Sequence, residues 1–194
     1  ARAACSAVAP PSASSAALRG VFFLQPLALE AGGAAWVECA LLEGGAFEVR
    51  SGADDGEATV HCSGQWAAAD AAAWRPLGLA AARERCCHVA DTVAFYAAFR
   101  AVGLQLGSTF RWLQAIWEVG CEATARLRRR TSLAGTQVHP ADLDGAITLM
   151  IWLRSKLNND GHREELSLPF AVDGVLMRGP AAGVLWAVAS ASGA

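Results

Sequence analysis

The sequence predicts an α+β fold of antiparallel strands with a long buried helix in its second half, and three observations carry that reading. Between residues 20 and 62, short apolar runs alternate with glycine- or aspartate-rich breaks, as strands joined by tight turns require. From His139-Pro140 a helically spaced apolar pattern runs to about residue 157, with proline at the first helical position, where its missing N–H is harmless. Two further β-rich runs, 168–177 and 183–190, flank Gly179-Pro180.

Taken in order, residues 1–19 form a leading segment rich in alanine, serine and proline, in which Pro10-Pro11 limits any helix to residues 1–8. Residues 20–66 hold four expected strands, at 21–24, 35–41, 46–50 and 58–62, separated by Gly32-Gly33, Gly44-Gly45 and Asp54-Asp55-Gly56. The alanine-rich stretch that follows reads as an interdomain linker over 67–90. Residues 91–194 form the second part. There, a helix at 91–102 places Val93, Phe95, Tyr96 and Phe99 on one side and stops at Gly103. Strands follow at 110–119 and 122–130, joined around Gly120. In the long helix Leu143, Ala146, Ile147, Met150, Ile151 and Leu153 give a broad apolar face, ended by Asn158-Asn159-Asp160-Gly161.

Over 194 residues, 54% hydrophobic and 18% charged content excludes a disordered chain. A formal charge of −2 gives no general attraction to nucleic acid or anionic lipid. No apolar run reaches the ~18 residues of a membrane span, and the first residues lack the pattern of a secretory signal. The expectation is a soluble, cytoplasmic protein, and a chain starting at Ala1 is expected to be cut from something longer. The six cysteines, Cys5, Cys39, Cys62, Cys86, Cys87 and Cys121, contain no Cys-x-x-Cys pair and read as free thiols in a reducing compartment. Cys86, Cys87 and His88 cluster but lack a fourth ligand at usable spacing, so no metal is expected.

Five stretches then follow one another: Val21-Phe22-Phe23-Leu24-Gln25-Pro26-Leu27; His61-Cys62-Ser63-Gly64; Phe95-Tyr96 to Gly103 with Gly107-Ser108-Thr109-Phe110; His139-Pro140-Ala141-Asp142-Leu143-Asp144-Gly145-Ala146; and Leu168-Pro169-Phe170-Ala171-Val172-Asp173-Gly174. In this order, over about residues 20–178, they resemble a polyketide synthase dehydratase domain. The resemblance implies a double hot-dog fold, two antiparallel sheets each curled around a central helix, with the first hot-dog incomplete at its N-terminus. It implies removal of water from a 3-hydroxyacyl thioester on an acyl carrier protein to give a 2,3-enoyl thioester. A histidine of the first hot-dog takes the 2-proton, and an aspartate of the second assists departure of the 3-hydroxyl.

Asp144 stands at the position of that aspartate. Thr148, His139, Pro140, Leu143, Gly107, Phe110, Pro169 and Phe170 are implied as substrate-binding or supporting positions around it. No cofactor is implied, because the substrate rides on the carrier's phosphopantetheine. The implied partners are the carrier domain, neighbouring synthase domains and a homodimer through the parent synthase, with neither nucleic acid nor membrane. The acid has to be neutral near pH 7, which burial favours and the helix N-terminal dipole opposes.

The chain departs from the family pattern at four places. Thr148 replaces a glutamine or histidine, Leu106-Gly107-Ser108-Thr109-Phe110 replaces Tyr-Gly-Pro-x-Phe, and Gly145 stands inside a helix at a cost of roughly 1 kcal/mol against alanine. The family's His-x-x-x-Gly-x-x-x-x-Pro stretch has no counterpart, so the chain alone is expected to be inactive. Two alternatives therefore stand beside the dehydratase: an inactive dehydratase-like structural module, and a product-template-type domain guiding cyclisation. His61 reads as a sheet residue without a partner, His139 as a turn-capping residue, His162 as solvated and Asp173 as a strand or turn acid. The run Arg126-Leu127-Arg128-Arg129-Arg130 reads as a solvated edge, with carrier docking as its functional alternative. Without a first central helix, the sheet of 20–66 is expected to expose an apolar face, leaving 90–194 the better protected part.

Overall fold

The computed structural model describes residues 15–28, 36–52, 58–69, 74–129, 138–157, 170–178 and 184–191. The chain divides into two units, 1–75 with 169–179, and 76–168 with 180–194.

The first unit is a five-stranded antiparallel sheet. Its strands are β1 (Ser15–Phe23), β2 (Val37–Leu41), β3 (Ala46–Ser51), β4 (Thr59–Ala68) and β8 (Ala171–Arg178), in the order β2-β3-β4-β1-β8. The four expected strands are present, with two differences in extent. β1 begins at Ser15, inside the leading segment, because residues 15–19 pair with β8 on one side while 16–19 pair with β4 on the other. Alanine has little intrinsic strand preference, and cross-strand pairing overrides it. β4 runs on to Ala68 through the His61-Cys62-Ser63-Gly64 stretch. Gly64 is needed there, since a Cβ would lie 2.9 Å from the Phe47 ring and 3.2 Å from the Val21 Cα.

β8 corrects the expected course of the chain. Residues 168–177 were expected as a strand of the second part, yet β8 pairs with β1 from Ser15↔Arg178 to Phe22↔Ala171. Among the described residues this unit has no α-helix, and Phe22, Phe23, Leu24, Val37, Phe170 and Leu176 stand exposed on it. The Gly32-Gly33, Asp54-Asp55-Gly56 and Gly179-Pro180 turns lie outside the described residues.

The second unit is a four-stranded antiparallel sheet in the order β5-β6-β7-β9, made of β5 (His88–Ala90), β6 (Leu113–Val119), β7 (Glu122–Leu127) and β9 (Trp186–Ser190). Three helices accompany it: α1 (Leu79–Arg85), α2 (Thr92–Ala101) and α3 (Pro140–Leu157). The stretch expected as a linker over 67–90 thus holds the end of β4, all of α1 and all of β5. Leu79-Ala-Ala-Ala-Arg-Glu-Arg is made of good helix formers, and α1 is tied to the sheet by Arg83 over the Trp117 ring and by Arg85 Nε bonding Glu122 at 2.8 Å.

α2 starts where Asp91 caps it, accepting the Val93 amide at 2.8 Å, and ends before Gly103 at φ +93°. Phe95 and Phe99 are buried, but Val93 is 75% exposed and leaves the apolar side assigned to it. At 100° per residue Val93 lies about 200° from Phe95, on the opposite face. α3 begins at Pro140 as expected and packs on β7 and β9. Its buried stripe is Ala141, Asp142, Gly145, Thr148, Leu149 and Leu153, while Leu143 and Ile147, expected in the core, are exposed. Leu149 and Leu153 join Phe95, Phe99, Leu113 and Ile116 in one core cluster.

Gly145 marks a close approach of α3 to β6, but an open one: an added Cβ would lie 3.5 Å from Leu113 Cδ2, an ordinary contact. Gly145→Ala is therefore expected to stabilise the chain by roughly 0.5–1 kcal/mol, through helix propensity. Urea unfolding checks this, and a loss of stability would mean that the site cannot accept one methyl.

Candidate active site

The site is built on the first two turns of α3. His139 Nδ1 accepts the Ala141 amide at 3.1 Å, and the His139 carbonyl accepts the amides of Asp142 and Leu143 at 2.9 and 3.3 Å. These bonds satisfy amides that a helix start leaves without partners, so His139 and Pro140 set the direction of α3. One turn on, Asp144 Oδ2 is shielded from solvent and has no hydrogen-bond partner among the described residues.

Burial pushes the Asp144 carboxyl above its ordinary value, and the hydroxyl of Thr148 acts in the opposite sense. That hydroxyl also donates to the Asp144 main-chain carbonyl at 2.7 Å. Of these two causes burial is the larger, so the net direction is upward.

Tyr96, the chain's only tyrosine, is the group that sequence reasoning missed. Its oxygen accepts the Leu113 amide at 3.0 Å. Burial pushes its phenol up; the Leu113 bond, Arg128 and Arg111 pull it down, and Asp144 pushes it up again. Tyr96, Asp144, Arg111 and Arg128 thus share one electrostatic environment. A tyrosine on the apolar side of a helix reads as core; its position as an isolated hydroxyl in an apolar stripe was the available signal. The Ser108–Phe110 3-10 turn touches α3, and past it Arg111 Nε bonds the Leu106 carbonyl at 2.8 Å.

Of the residues singled out in the sequence, Asp144, Thr148, His139, Pro140 and Leu143 share α3 and its lead-in, and Gly107 and Phe110 lie at the turn beside it. Phe170 belongs to the first unit and is 64% exposed, with its ring edge-on to Phe22 at 6.1 Å. Pro169, His162 and Arg130 lie outside the described residues. His61 has the partner it was expected to lack. It is the extra residue of a bulge in β4; its Nδ1 donates to the Gln25 carbonyl at 3.1 Å, and its Nε2 accepts the Ser51 hydroxyl at 2.6 Å. Asp173, Arg126, Arg128 and Arg129 are exposed. No group of three metal-binding side chains occurs among the described residues, and none of their helices is long and apolar enough to cross a membrane.

The carboxyl at Asp144 suits proton donation to an oxygen that departs. A carboxylic acid held neutral can give its proton where alkoxide or hydroxide charge would otherwise develop. Asp144 also predicts a cost in stability. A folded carboxyl held above its ordinary value contributes stability fully below that value and loses it as pH rises through the folded one. Asp144→Asn, neutral throughout, is expected to melt higher than the parent chain at mildly alkaline pH, with the difference shrinking on acidification. A pH-independent difference in thermal midpoint would contradict the burial argument.

The family model for the polyketide synthase dehydratase N-terminal domain matches residues 75–193, more than half of the chain. Polyketide synthase PksM of Bacillus subtilis (strain 168) is 27% identical over 150 residues, covering 72% of this chain and 4% of that protein. The chain therefore spans a small fraction of the curated relative it matches. Among solved structures, the dehydratase domain of the CurF module of curacin polyketide synthase matches with a TM-score of 0.81 at 19% identity, over 98% of this chain and 70% of that one. The CurJ dehydratase gives 0.80 at 23%, over 96% and 66%. A trans-AT polyketide synthase dehydratase domain from Brevibacillus brevis gives 0.77 at 21%, over 97% and 69%. These structures share the two antiparallel sheets with their helices, so the fold is the double hot-dog that the motifs implied. With residues 75–193 matched by its model, the chain belongs to the polyketide synthase dehydratase family.

Proposed function

We propose that this chain is part of a domain that dehydrates a 3-hydroxyacyl thioester carried on an acyl carrier protein, and that Asp144 is its acid. The observation that carries the reading is the shielded, unpartnered Asp144 Oδ2 on a carboxyl that burial pushes up. In the reaction a base removes the 2-proton, the C2–C3 double bond forms, the C3–O bond breaks, and Asp144 delivers its proton to the departing hydroxyl, which leaves as water. Asp144 is then a carboxylate, and the 2-proton returns to it through the base and solvent before the next turnover.

The base is a histidine from the part of the parent polypeptide that carries the family's histidine motif. Support comes from a relative: the CurK dehydratase is inactive when one histidine is phenylalanine and again when one aspartate is asparagine. The carrier domain and adjoining synthase domains are the partners this reading calls for, with exposed Arg126, Arg128 and Arg129 as a salt-sensitive contact for an acidic carrier.

One observation favours the second reading, a dehydratase-like module that holds the acyl chain without converting it: Thr148 directs its hydroxyl proton to the main chain, so among the described residues no side chain bonds Asp144 Oδ2. The deciding experiment extends the chain upstream through the histidine motif and follows conversion of a pantetheine-linked 3-hydroxyacyl thioester. Appearance of the enoyl thioester supports the dehydratase; a folded, histidine-containing protein without turnover supports the holding module.

A further inference from the structure

We propose that Ser51 and His61 form a nucleophile and base pair that takes the acyl group of an ester or thioester with an apolar chain. The pair lies on β3 and β4 of the first unit, whereas Asp144 belongs to the second, and it does not rest on the dehydratase reading. Three observations carry it: a hydroxyl bonded to an imidazole, a main-chain carbonyl that fixes the tautomer of that imidazole, and exposed apolar side chains on the segments that hold them.

The Ser51 hydroxyl lies 2.6 Å from His61 Nε2, and His61 Nδ1 lies 3.1 Å from the Gln25 carbonyl. A carbonyl only accepts, so the hydrogen of the neutral ring sits on Nδ1, and Nε2 keeps its lone pair for the Ser51 proton. A nucleophile within hydrogen-bond reach of a base, with the base oriented by a third group, is the arrangement that activates serine. The bulge in β4 builds it. As the extra residue there, His61 accepts the amides of Leu24 and Gln25 on its carbonyl at 2.8 and 3.4 Å. Gln25 therefore holds the main chain and the ring of the same histidine, and the ring cannot turn without breaking that pair of bonds. Ser51 and His61 are both half-exposed, open to a substrate. Val37 faces Ser51 across the β2–β3 ladder, and it is exposed, as are Trp36, Leu24 and Leu27 beside it and beside Gln25 in the chain. These segments offer apolar surface to an acyl chain.

In the step proposed, Ser51 Oγ attacks the carbonyl carbon as its proton passes to His61 Nε2. The tetrahedral adduct collapses with loss of the C–S or C–O bond, and the imidazolium returns the proton to the leaving sulfur or oxygen. An acyl-Ser51 ester and a free thiol or alcohol result; water, deprotonated by His61, then releases the carboxylic acid and restores the serine. The Gln25 carbonyl orients the ring but carries no full charge to offset the imidazolium, so the second half is expected to be slow and the acyl-serine to accumulate.

The test exposes the full chain to octyl fluorophosphonate and locates the adduct by peptide mass spectrometry. Ser51 is expected to be modified at least roughly 10²-fold faster than in the urea-unfolded chain or in His61→Gln, the contribution of a placed general base. With p-nitrophenyl octanoate, a burst of nitrophenol matching the amount of protein is expected, and its absence from Ser51→Ala. Should His61→Gln not fold, the comparison of folded with unfolded chain carries the test. An unmodified Ser51, labelling that ignores folding, or labelling as fast in folded His61→Gln would overturn the proposal and leave the Ser51–His61 bond a fastening of the β4 bulge. Neither probe carries a 3-hydroxyl, so the result is separate from that of the dehydration assay.

Discussion

Asp144→Asn in the histidine-containing parent polypeptide is expected to lower the turnover of a 3-hydroxyacyl thioester by roughly 10²–10⁴-fold, the usual contribution of a placed general acid. The loss should fall on kcat, with KM nearly unchanged, because the proton is shared with the departing oxygen only as the C3–O bond breaks. Asparagine matches the shape of the side chain and still hydrogen-bonds, yet has no acidic proton. The unaltered protein should also lose activity as pH rises through the folded Asp144 value, which burial pushes up from its ordinary one and thereby widens the acid's working window. Steady-state kinetics across pH checks both parts. An Asn variant of full activity would move the acid to another group, and Tyr96, which shares the field of Asp144, would be the first to replace.

What was legible in the sequence was mostly local. Pro140 announced the start of α3, Asp91 and Gly103 the ends of α2, and the glycine-rich breaks the spacing of β2 to β4. Asp144 was found through the stretch around it, and its position one turn inside α3 followed from the proline. The misses share a different cause. β8 lies next to β1, about 150 residues away in sequence, and no local pattern states which sheet a strand will join. The early part of β1, residues 15–20, and α1 hid in alanine-rich segments whose composition resembles a linker. The bulge that turns His61 toward Ser51, and the bond from Leu113 to Tyr96, exist only once strands and helices have met. On α3 Leu153 was expected in the core and is buried there, but Leu143 and Ile147 are exposed, Leu149 takes a core place not assigned to it, and small and polar residues, Gly145 and Thr148, occupy the buried stripe beside Asp144. A site that needs room and a hydroxyl gives up apolar periodicity at that point, which is why the pattern failed closest to the chemistry.

Phe95→Ala is expected to destabilise the chain by roughly 3–5 kcal/mol, a large share of the 5–15 kcal/mol typical of a folded domain. The ring is 0% exposed and stands 5.0 Å from Tyr96, 5.1 Å from Phe99 and 5.1 Å from Trp152, so its removal leaves a cavity and ends three aromatic contacts at once. Val93→Ala, two residues earlier on the same helix, is expected to stay within about 0.5 kcal/mol, because that side chain already faces solvent. Urea unfolding of the pair measures what helical periodicity alone misjudged, and similar losses would contradict the burial of α2. Phe95 also carries a consequence for the site. Tyr96 packs edge-on against it and accepts the Leu113 amide from there, so the cavity should loosen that bond and alter the field at Asp144. In the folded fraction of Phe95→Ala, the Leu113 amide is expected to lose hydrogen-exchange protection more than the amides of β9, which pair with β7.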